Sequence, residues 1–316
     1  MARLSGLNIL VTGGSGFIGG HLVGELLRLG ANVIAIDRDV KKNSLFERDG
    51  LRKEVRLEFI DVADKEKIFR FIKLSKPDYI FHLAAQTLVT ESYTNPYDAL
   101  NTNIMGTVNI LEAARIFNNT RGIIVASSDK AYGKTKKTYT ENSPLKGDHP
   151  YDVSKSSADL ICQAYHKTYD IPVVITRFGN VYGEGDLHFE RIVPGICRAI
   201  IKNEVLEIRS NGKYVRDYIY VKDVVNGYIV LQEHIDVAKG QAYNFSSRDT
   251  ISVLELVRKV QHILNVDIPY VVLNSAKNEI PYQHLDDTKV RSLGWIPYHS
   301  FDSVFPATVD WYRKVL

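Results

Sequence analysis

The sequence predicts a doubly wound α/β fold, in which helices cover both faces of a parallel sheet. Short runs rich in Val, Ile and Leu occur throughout the first half of the chain, without the polar alternation of a half-exposed strand. Longer segments between these runs carry apolar residues at helical spacing. Strand and helix therefore alternate, which indicates βαβ units.

The first half of the chain contains six predicted strands and four predicted helices. The strands are Asn8–Thr12, Asn32–Asp37, Leu57–Asp61, Asp78–His82, Ile123–Ser127 and Pro172–Arg177. The helices are Phe17–Leu29, Asp64–Lys73, Asp98–Phe117 and Tyr151–Tyr169. We expect residues 1–178 to form one lobe built on these elements.

The pattern becomes mixed in the second half of the chain. The predicted helices there are Arg191–Lys202, Val221–His234 and Phe301–Leu316. The predicted strands are Val205–Ile208, Val215–Tyr220, Ala242–Phe245 and Tyr270–Leu273. We expect residues 179–316 to form a smaller mixed α/β lobe, with some exchange of chain between the lobes and a cleft between them.

Length and composition indicate an ordinary globular protein. Its 316 residues include 40 Lys and Arg against 37 Asp and Glu, a net charge of +3 that is too balanced for a nucleic-acid-binding protein. No apolar run approaches the roughly 20 residues of a membrane span, and no signal-peptide pattern precedes the first strand. Cys162 and Cys197 cannot form a disulfide framework. We expect a cytoplasmic protein without a nucleic-acid or membrane partner.

A glycine-rich loop joins the first predicted strand to the first predicted helix. Gly13, Gly16 and Gly19 form the pattern G-x-x-G-x-x-G. Glycines permit a sharp turn and a close approach of the backbone to a pyrophosphate, and the helix N-terminus offers free N–H groups to it. The loop therefore predicts a Rossmann-type dinucleotide site. Its residues are Gly13, Ser15, Gly16, Phe17, Ile18 and Gly19.

Acidic residues end the second and third predicted strands. Asp37 stands where a carboxylate accepts the ribose hydroxyls of NAD and repels a 2′-phosphate. The neighbouring Arg38 could instead hold that phosphate, so NAD is favoured while NADP stays open. Asp61 and Val62 follow the third strand, where Asp61 either reaches the adenine amino group or caps the next helix.

Three residues suggest proton transfer next to the dinucleotide. Tyr151 and Lys155 are one helical turn apart and face the same side of their helix. A lysine ammonium together with the positive charge of a nicotinamide favours the phenolate and so predicts a lowered pKa for Tyr151, which could then act as a base. Ser128, at a strand end, could donate a hydrogen bond to the hydroxyl being oxidised. A solvated helical pair and a serine that caps a strand are the alternatives.

In this order, the motifs resemble the extended short-chain dehydrogenase/reductases of the NAD-dependent epimerase/dehydratase family, which act on nucleotide sugars. The matching segments are Thr12–Gly19, His82-Leu83-Ala84-Ala85, Asn103 with Gly106-Thr107, Tyr151 with Lys155, and Arg216-Asp217-Tyr218. The resemblance implies bound NAD, contacted also by Leu83, Ala84 and Ala85, which takes a hydride from sugar C4. It further implies that the second lobe binds a nucleoside-diphosphate sugar, and that helices Asp98–Phe117 and Tyr151–Tyr169 form a homodimer interface.

The two residues after Ser128 distinguish two reactions. A C4 epimerase needs only the serine, tyrosine and lysine, whereas a 4,6-dehydratase also needs an acid and a base. Most dehydratases of this family carry Asp-Glu here, and those acting on CDP-glucose resemble Asp129-Lys130 more closely. By that likeness, Asp129 is the acid for the departing C6 hydroxyl and Lys130 is the C5 base. The alternative is a surface ion pair. We expect a dehydratase that forms an NDP-4-keto-6-deoxyhexose, with a UDP-glucose or UDP-N-acetylglucosamine 4-epimerase as the alternative.

The resemblance also suggests which side chains bind the substrate. Arg216 would pair with a phosphate as a bidentate fork, and Asn180 would bond the diphosphate or the sugar. Arg191 is a further candidate for the same anion, and Gln86 and Ser128 would contact the sugar. The spacing of His, Cys and acidic residues predicts no metal site.

Overall fold

The computed structural model describes residues 3–117, 120–135, 137–247, 249–276 and 279–316. Its strands are β1 (Asn8–Thr12), β2 (Asn32–Asp37), β3 (Arg56–Phe59), β4 (Tyr79–His82), β5 (Gly122–Ala126), β6 (Val173–Phe178), β7 (Asn180–Tyr182), β8 (Leu206–Ile208), β9 (Val215–Tyr220), β10 (Ala242–Phe245), β11 (Thr250–Ser252) and β12 (Tyr270–Val272).

The helices cover both faces of the sheet and much of the second half of the chain. They are α1 (Phe17–Arg28), α2 (Leu45–Arg48), α3 (Lys65–Ser75), α4 (Val89–Thr94), α5 (Pro96–Leu100), α6 (Gly106–Phe117), α7 (Pro150–Tyr169), α8 (Ile192–Lys202), α9 (Val221–Glu233), α10 (Ile235–Ala238), α11 (Val253–Leu264), α12 (Thr288–Arg291) and α13 (Phe301–Arg313). A π-helical turn, Asn101–Met105, joins α5 to α6, and 3₁₀ turns occupy Leu51–Lys53 and Asp129–Tyr132.

Seven parallel strands form the central sheet, in the order β10-β6-β5-β4-β1-β2-β3. The chain runs outward from β1 to β3 and then returns to place β4 on the other side of β1. The loops after β1 and β4 consequently diverge, which opens a crevice at the carboxyl ends of these strands. The predicted doubly wound α/β fold is confirmed.

The predicted elements of the first half are present with small shifts at their ends. The largest difference concerns the predicted helix Asp98–Phe117, which begins earlier, at Pro96, and contains the π-helical turn. In the second half, the strands β7 and β11 and the helices α10, α11 and α12 were not predicted from the sequence. Helix α11 carries a capping box in which Ser252 and Glu255 bond each other's backbone N–H groups, a recognisable helix start.

The chain crosses back to the large sheet after residue 179. Strand β10 pairs with β6 at the sheet edge, and its four residues are buried. Helix α9 packs against α1 and contributes Val224 and Tyr228 to the core under the sheet. Two small sheets, β11-β9-β7 and β12-β8, belong to the other side of the crevice.

Among the helices of the described residues, none combines the length and the apolar character that crossing a membrane requires. No group of three or more His, Cys, Asp or Glu side chains in those residues is arranged to hold a metal ion. Cys162 and Cys197 are buried free thiols.

Candidate active site

A cleft of about 1520 Å³ opens at the carboxyl ends of β1, β4 and β5. Single-ligand pockets usually measure roughly 300–1,000 Å³, so this cleft has room for a cofactor and a substrate together. The structure brings the predicted site residues together here, since all of them except Asp129 line the cleft. Asp129 lies directly behind the wall, between the lining residues Ser128 and Lys130, and is 1% exposed.

The glycine loop fits a dinucleotide pyrophosphate. Gly13 has a φ of +69°, and a Cβ there would lie 2.9 Å from the backbone nitrogen of Ala84. A Cβ on Gly19 would overlap the carbonyl oxygen of Gly13. Helix α1 begins at Phe17 after Gly16, which has no side chain to cap the first N–H groups. These N–H groups and the positive end of the helix dipole are therefore available to an anion in the cleft.

Asp37 is held in place by the glycine loop. Its Oδ2 accepts hydrogen bonds from the Ser15 hydroxyl at 2.6 Å and from the Ser15 N–H at 3.2 Å. Burial raises the pKa of Asp37. The Arg38 guanidinium lies 3.5 Å from Asp98 and 4.0 Å from Asp61. Because two carboxylates already engage Arg38 and would repel a further phosphate, the site favours NAD over NADP.

Asp61 does not cap the third helix, which was one of the two predicted roles. Its Oδ1 accepts a hydrogen bond from the Ala63 N–H at 2.9 Å, in the turn after β3. The N-cap of α3 is Asp64, whose side chain accepts from the Lys67 N–H. Asp61 and Val62 both line the cleft, so the position near the adenine stays a prediction.

Burial controls the protonation of Tyr151 and Lys155. It raises the pKa of Tyr151 to about 12, and the charge of Arg191 and the hydroxyl of Ser128 offset only part of this effect. Burial also lowers the pKa of Lys155 to about 8, and the Lys155 ammonium donates to the carbonyl of Ala126 at 2.8 Å. The lowered pKa predicted for Tyr151 is therefore wrong for the protein groups alone, since the desolvation of the phenolate outweighs nearby charge.

Asp129 and Lys130 form the other half of the candidate site, in the 3₁₀ turn after β5. Oδ1 of Asp129 accepts from the Ser128 hydroxyl at 3.1 Å and lies 3.7 Å from the Lys130 ammonium. Its Oδ2 accepts from Nε2 of Gln283 at 2.6 Å. Burial raises the pKa of Asp129, which favours the protonated acid. Asp129 is thus not part of a surface ion pair.

Three of the predicted substrate residues, Arg216, Arg191 and Asn180, lie on the opposite wall, where acidic groups hold the two arginines. Arg216 is 3.0 Å from Glu279, and its guanidinium lies over the ring of Tyr214. Arg191 is 3.1 Å from Asp186 and donates to Thr87. Strand β7 places Asn180 in the same wall. The two guanidinium groups face a common cleft, as binding of a diphosphate requires.

Gln86 lies on the β4 side of the cleft. Asn103, in the π-helical turn, accepts from the Gln86 N–H at 2.8 Å and donates to its carbonyl at 3.1 Å. The Gln86 side chain donates to Glu91 at 2.7 Å. Its Oε1 is buried and has no hydrogen-bond partner among the described residues.

A profile of the NAD dependent epimerase/dehydratase family matches residues 9–246. This chain belongs to that family. NAD is accordingly its cofactor, and the glycine loop and Asp37 fit it.

Several members of the epimerase/dehydratase family align with most of the chain. The CDP-glucose 4,6-dehydratase of Salmonella typhimurium is 32% identical over 98% of this chain and 91% of that protein. The chain spans about half, 48%, of the length of a trifunctional UDP-glucose 4,6-dehydratase/epimerase/reductase of Arabidopsis thaliana, at 30% identity.

The solved structures similar to this chain include both 4,6-dehydratases and 4-epimerases. The dTDP-glucose 4,6-dehydratase of Streptomyces venezuelae, determined with NAD bound, superimposes with a TM-score of 0.88 at 29% identity, over 98% of this chain and 97% of that one. The UDP-glucose 4-epimerase of Thermotoga maritima superimposes with a TM-score of 0.89 at 30% identity, over 98% and 99%. The fold is therefore common to dehydratases and epimerases.

Several side chains of the candidate active site were not predicted from the sequence. Gln283 reaches Asp129 from 154 residues away, and no local pattern marks it. His149 and Asp152 line the cleft beside Tyr151, with His149 Nε2 3.1 Å from Asp152 Oδ1. Their spacing of three residues at the start of a helix is a signal that could have indicated the pair.

Proposed function

We propose that this chain is an NAD-dependent nucleotide-sugar 4,6-dehydratase, which converts an NDP-hexose to an NDP-4-keto-6-deoxyhexose. One observation carries the proposal: a buried carboxyl group and an amine, Asp129 and Lys130, adjoin Ser128 at the end of the strand that faces Tyr151 and Lys155. A 4-epimerase has no use for this additional acid and base, whereas the removal of water requires both.

The chemistry divides among these residues in two stages. NAD held by the glycine loop and Asp37 would supply hydride transfer, away from sugar C4 and back to C6. The Tyr151 phenolate takes the proton of the C4 hydroxyl, and Ser128 hydrogen-bonds the same oxygen. Lys155 supports the phenolate by its charge. The ketone formed at C4 then acidifies the proton on C5.

Elimination uses the second pair of residues. Lys130, as the base, takes the C5 proton, and the electrons of that bond form the C5–C6 double bond. The C6–O bond breaks, and the oxygen leaves as water with the proton of Asp129. Lys130 then delivers to C5 a proton that has exchanged with solvent. The raised pKa of Asp129 supports its role as the proton donor.

The two walls of the cleft divide the binding roles in this proposal. Residues 1–178 hold NAD through the glycine loop, Asp37 and the turns after β3 and β4. Residues 179–316 hold the nucleoside diphosphate, with Arg216 and Arg191 on its phosphates and Asn180 nearby. Gln86 contacts the sugar through its free Oε1. When the substrate binds, its diphosphate would displace Glu279 from Arg216 and Asp186 from Arg191.

We also propose a homodimer that associates through α6 and α7. Large apolar side chains are exposed on these helices and on the adjoining π-helical turn: Met105, Ile116, Val153 and Leu160. Exposed apolar side chains of this size on two helices that pack together fit an interface between subunits. A cytoplasmic location fits the two free thiols.

Mass spectrometry of products formed in deuterated water tests the proposed reaction. The purified protein is incubated with NAD and, separately, with CDP-glucose, dTDP-glucose, UDP-glucose and UDP-N-acetylglucosamine. A product that has lost one water and carries deuterium at C5 supports the dehydratase and identifies the nucleotide. A product of unchanged mass that is a new C4 stereoisomer would contradict the dehydratase and favour a 4-epimerase, the activity of the Thermotoga maritima relative.

A further inference from the structure

The proposed acid, Asp129, receives a side-chain hydrogen bond from Gln283. Among the described residues of the C-terminal half, Gln283 alone makes such a bond to it. Its Nε2 donates to Oδ2 of Asp129 at 2.6 Å, and both side chains are 1% exposed. Gln283 also lines the cleft. A hydrogen bond this short between two buried groups restrains the rotation of the carboxyl group.

The backbone around Gln283 is held on both sides by strand β9. The Gln283 N–H donates to the carbonyl of Val215 at 3.1 Å. Two residues later, the N–H of Leu285 donates to the buried carboxylate of Asp217 at 2.9 Å. The amide of Gln283 is therefore presented to Asp129 by a segment that is itself anchored to the sheet.

The two oxygens of Asp129 have different surroundings. Oδ2 faces the amide of Gln283, while Oδ1 faces the Ser128 hydroxyl at 3.1 Å and Nζ of Lys130 at 3.7 Å. The amide N–H of Gln283 can only donate, so Oδ2 must accept, whereas the Ser128 hydroxyl beside Oδ1 can rotate and accept a hydrogen bond instead. The proton of the acid is therefore directed to Oδ1, on the side of the two residues that line the cleft.

We propose that Gln283 is a positioning residue for dehydration, which acts through Asp129 by holding Oδ2 and leaving Oδ1 to deliver the proton to the departing hydroxyl. The inference rests on the proposed dehydratase function and assigns a role within it. Gln283 does not take part in the oxidation at C4, because its contact is with the acid of the second stage alone.

The variant Gln283→Met tests this role in the NAD-loaded enzyme. It preserves the length of the side chain and removes the donor. We expect the kcat for water loss to fall about 10- to 100-fold with little change in KM, as loss of one buried bond to a carboxyl group predicts. Oxidation at C4 should persist, so absorbance of the reduced nicotinamide should build up after substrate is mixed with the variant.

Two further variants distinguish the hydrogen bond of Gln283 from the packing of its side chain. Gln283→His restores an N–H donor and should recover part of the lost rate. Gln261→Met is the matched control, because Gln261 donates to Asp267 at 2.9 Å on α11, outside the cleft, and should leave kcat unchanged. If kcat falls equally in Gln283→Met and Gln283→His, and reduced nicotinamide does not accumulate in either variant, the inference is overturned.

A double-mutant cycle with Asp129→Asn completes the test. If Gln283 acts through Asp129, Gln283→Met should cause no further loss in the Asp129→Asn background. An undiminished loss there, or a wild-type rate in Gln283→Met alone, would overturn the positioning role while the dehydratase proposal stands. If the wild-type enzyme releases no water from any of the four nucleotide sugars, the dehydratase proposal fails, and this inference fails with it.

Discussion

At the scale of single residues, burial rather than neighbouring charge dominates the proposed catalytic groups. It raises the pKa of Tyr151 to about 12 and lowers that of Lys155 to about 8. Both shifts favour neutral side chains, because a buried charge loses its hydration. Proton removal from a sugar hydroxyl needs the Tyr151 phenolate, so the ammonium of Lys155 becomes important in the pH range where it still carries charge.

Replacement of Lys155 by Met should displace the acidic limb of the pH–rate profile. The lysine is cationic below about pH 8, and in the proposed mechanism its charge there favours the phenolate of Tyr151. Without that charge, Tyr151 loses its proton only at higher pH. We expect the acidic limb of kcat/KM to move to higher pH and the rate at neutral pH to fall about 10²- to 10⁴-fold.

The exposed Lys167 on the same helix provides the control for this measurement. Lys167→Met removes the same charge far from the cleft and should retain the wild-type profile. An acidic limb that stays in place in Lys155→Met would contradict the assigned role of Lys155.

At the scale of elements, the turn from β1 to α1 combines backbone geometry with anion binding. Its motif could be recognised in the sequence because all of its determinants lie within one short segment. Helix ends and irregular turns were less predictable. The π-helical turn between α5 and α6 depends on packing against α7, yet it is this turn that places Asn103 against Gln86.

Two glycine substitutions on α1 should have opposite effects. In Gly19→Ala the new methyl group would overlap the Gly13 carbonyl, so the loop must shift, and we expect weaker NAD binding and a lower free energy of unfolding. In Gly24→Ala the methyl group meets Leu51 at an ordinary 3.8 Å. That variant should raise the free energy of unfolding by about 0.5–1 kcal/mol.

Urea unfolding and calorimetric titration with NAD measure both effects. Gly24→Ala should bind NAD as tightly as the wild type. If Gly19→Ala also retains full affinity and stability, the close packing of the loop is not needed for cofactor binding.

At the scale of the whole molecule, residues 279–285 contact both sides of the cleft. Buried Asp217 accepts hydrogen bonds from Ser246 at 2.7 Å and from Leu285 at 2.9 Å. The segment held in this way carries Glu279, which pairs with Arg216, and Gln283, which bonds Asp129. The proposed phosphate ligand and the proposed acid thus depend on one stretch of backbone.

The proposed dimer makes a further prediction at this scale. Leu160 is 53% exposed on α7, where a subunit partner would cover it. Leu160→Glu would bury a charge in the interface and should give a particle of monomer mass in light scattering. Leu74→Glu, at a leucine that is 70% exposed on α3, should leave the mass unchanged. A wild-type protein of monomer mass would contradict the dimer.

The sequence by itself determined the features whose parts are close together in the chain. The alternation of strand and helix, the glycine loop and the Tyr151–Lys155 pair depend on spacings of a few residues, and a short segment of backbone converts such spacings directly into geometry. Only the tertiary structure decided that β10 joins the large sheet, that Tyr151 is too buried to ionise readily, and that Gln283 bonds Asp129 across 154 residues. Burial and long-range contact depend on how all the elements pack, and no local pattern records that packing.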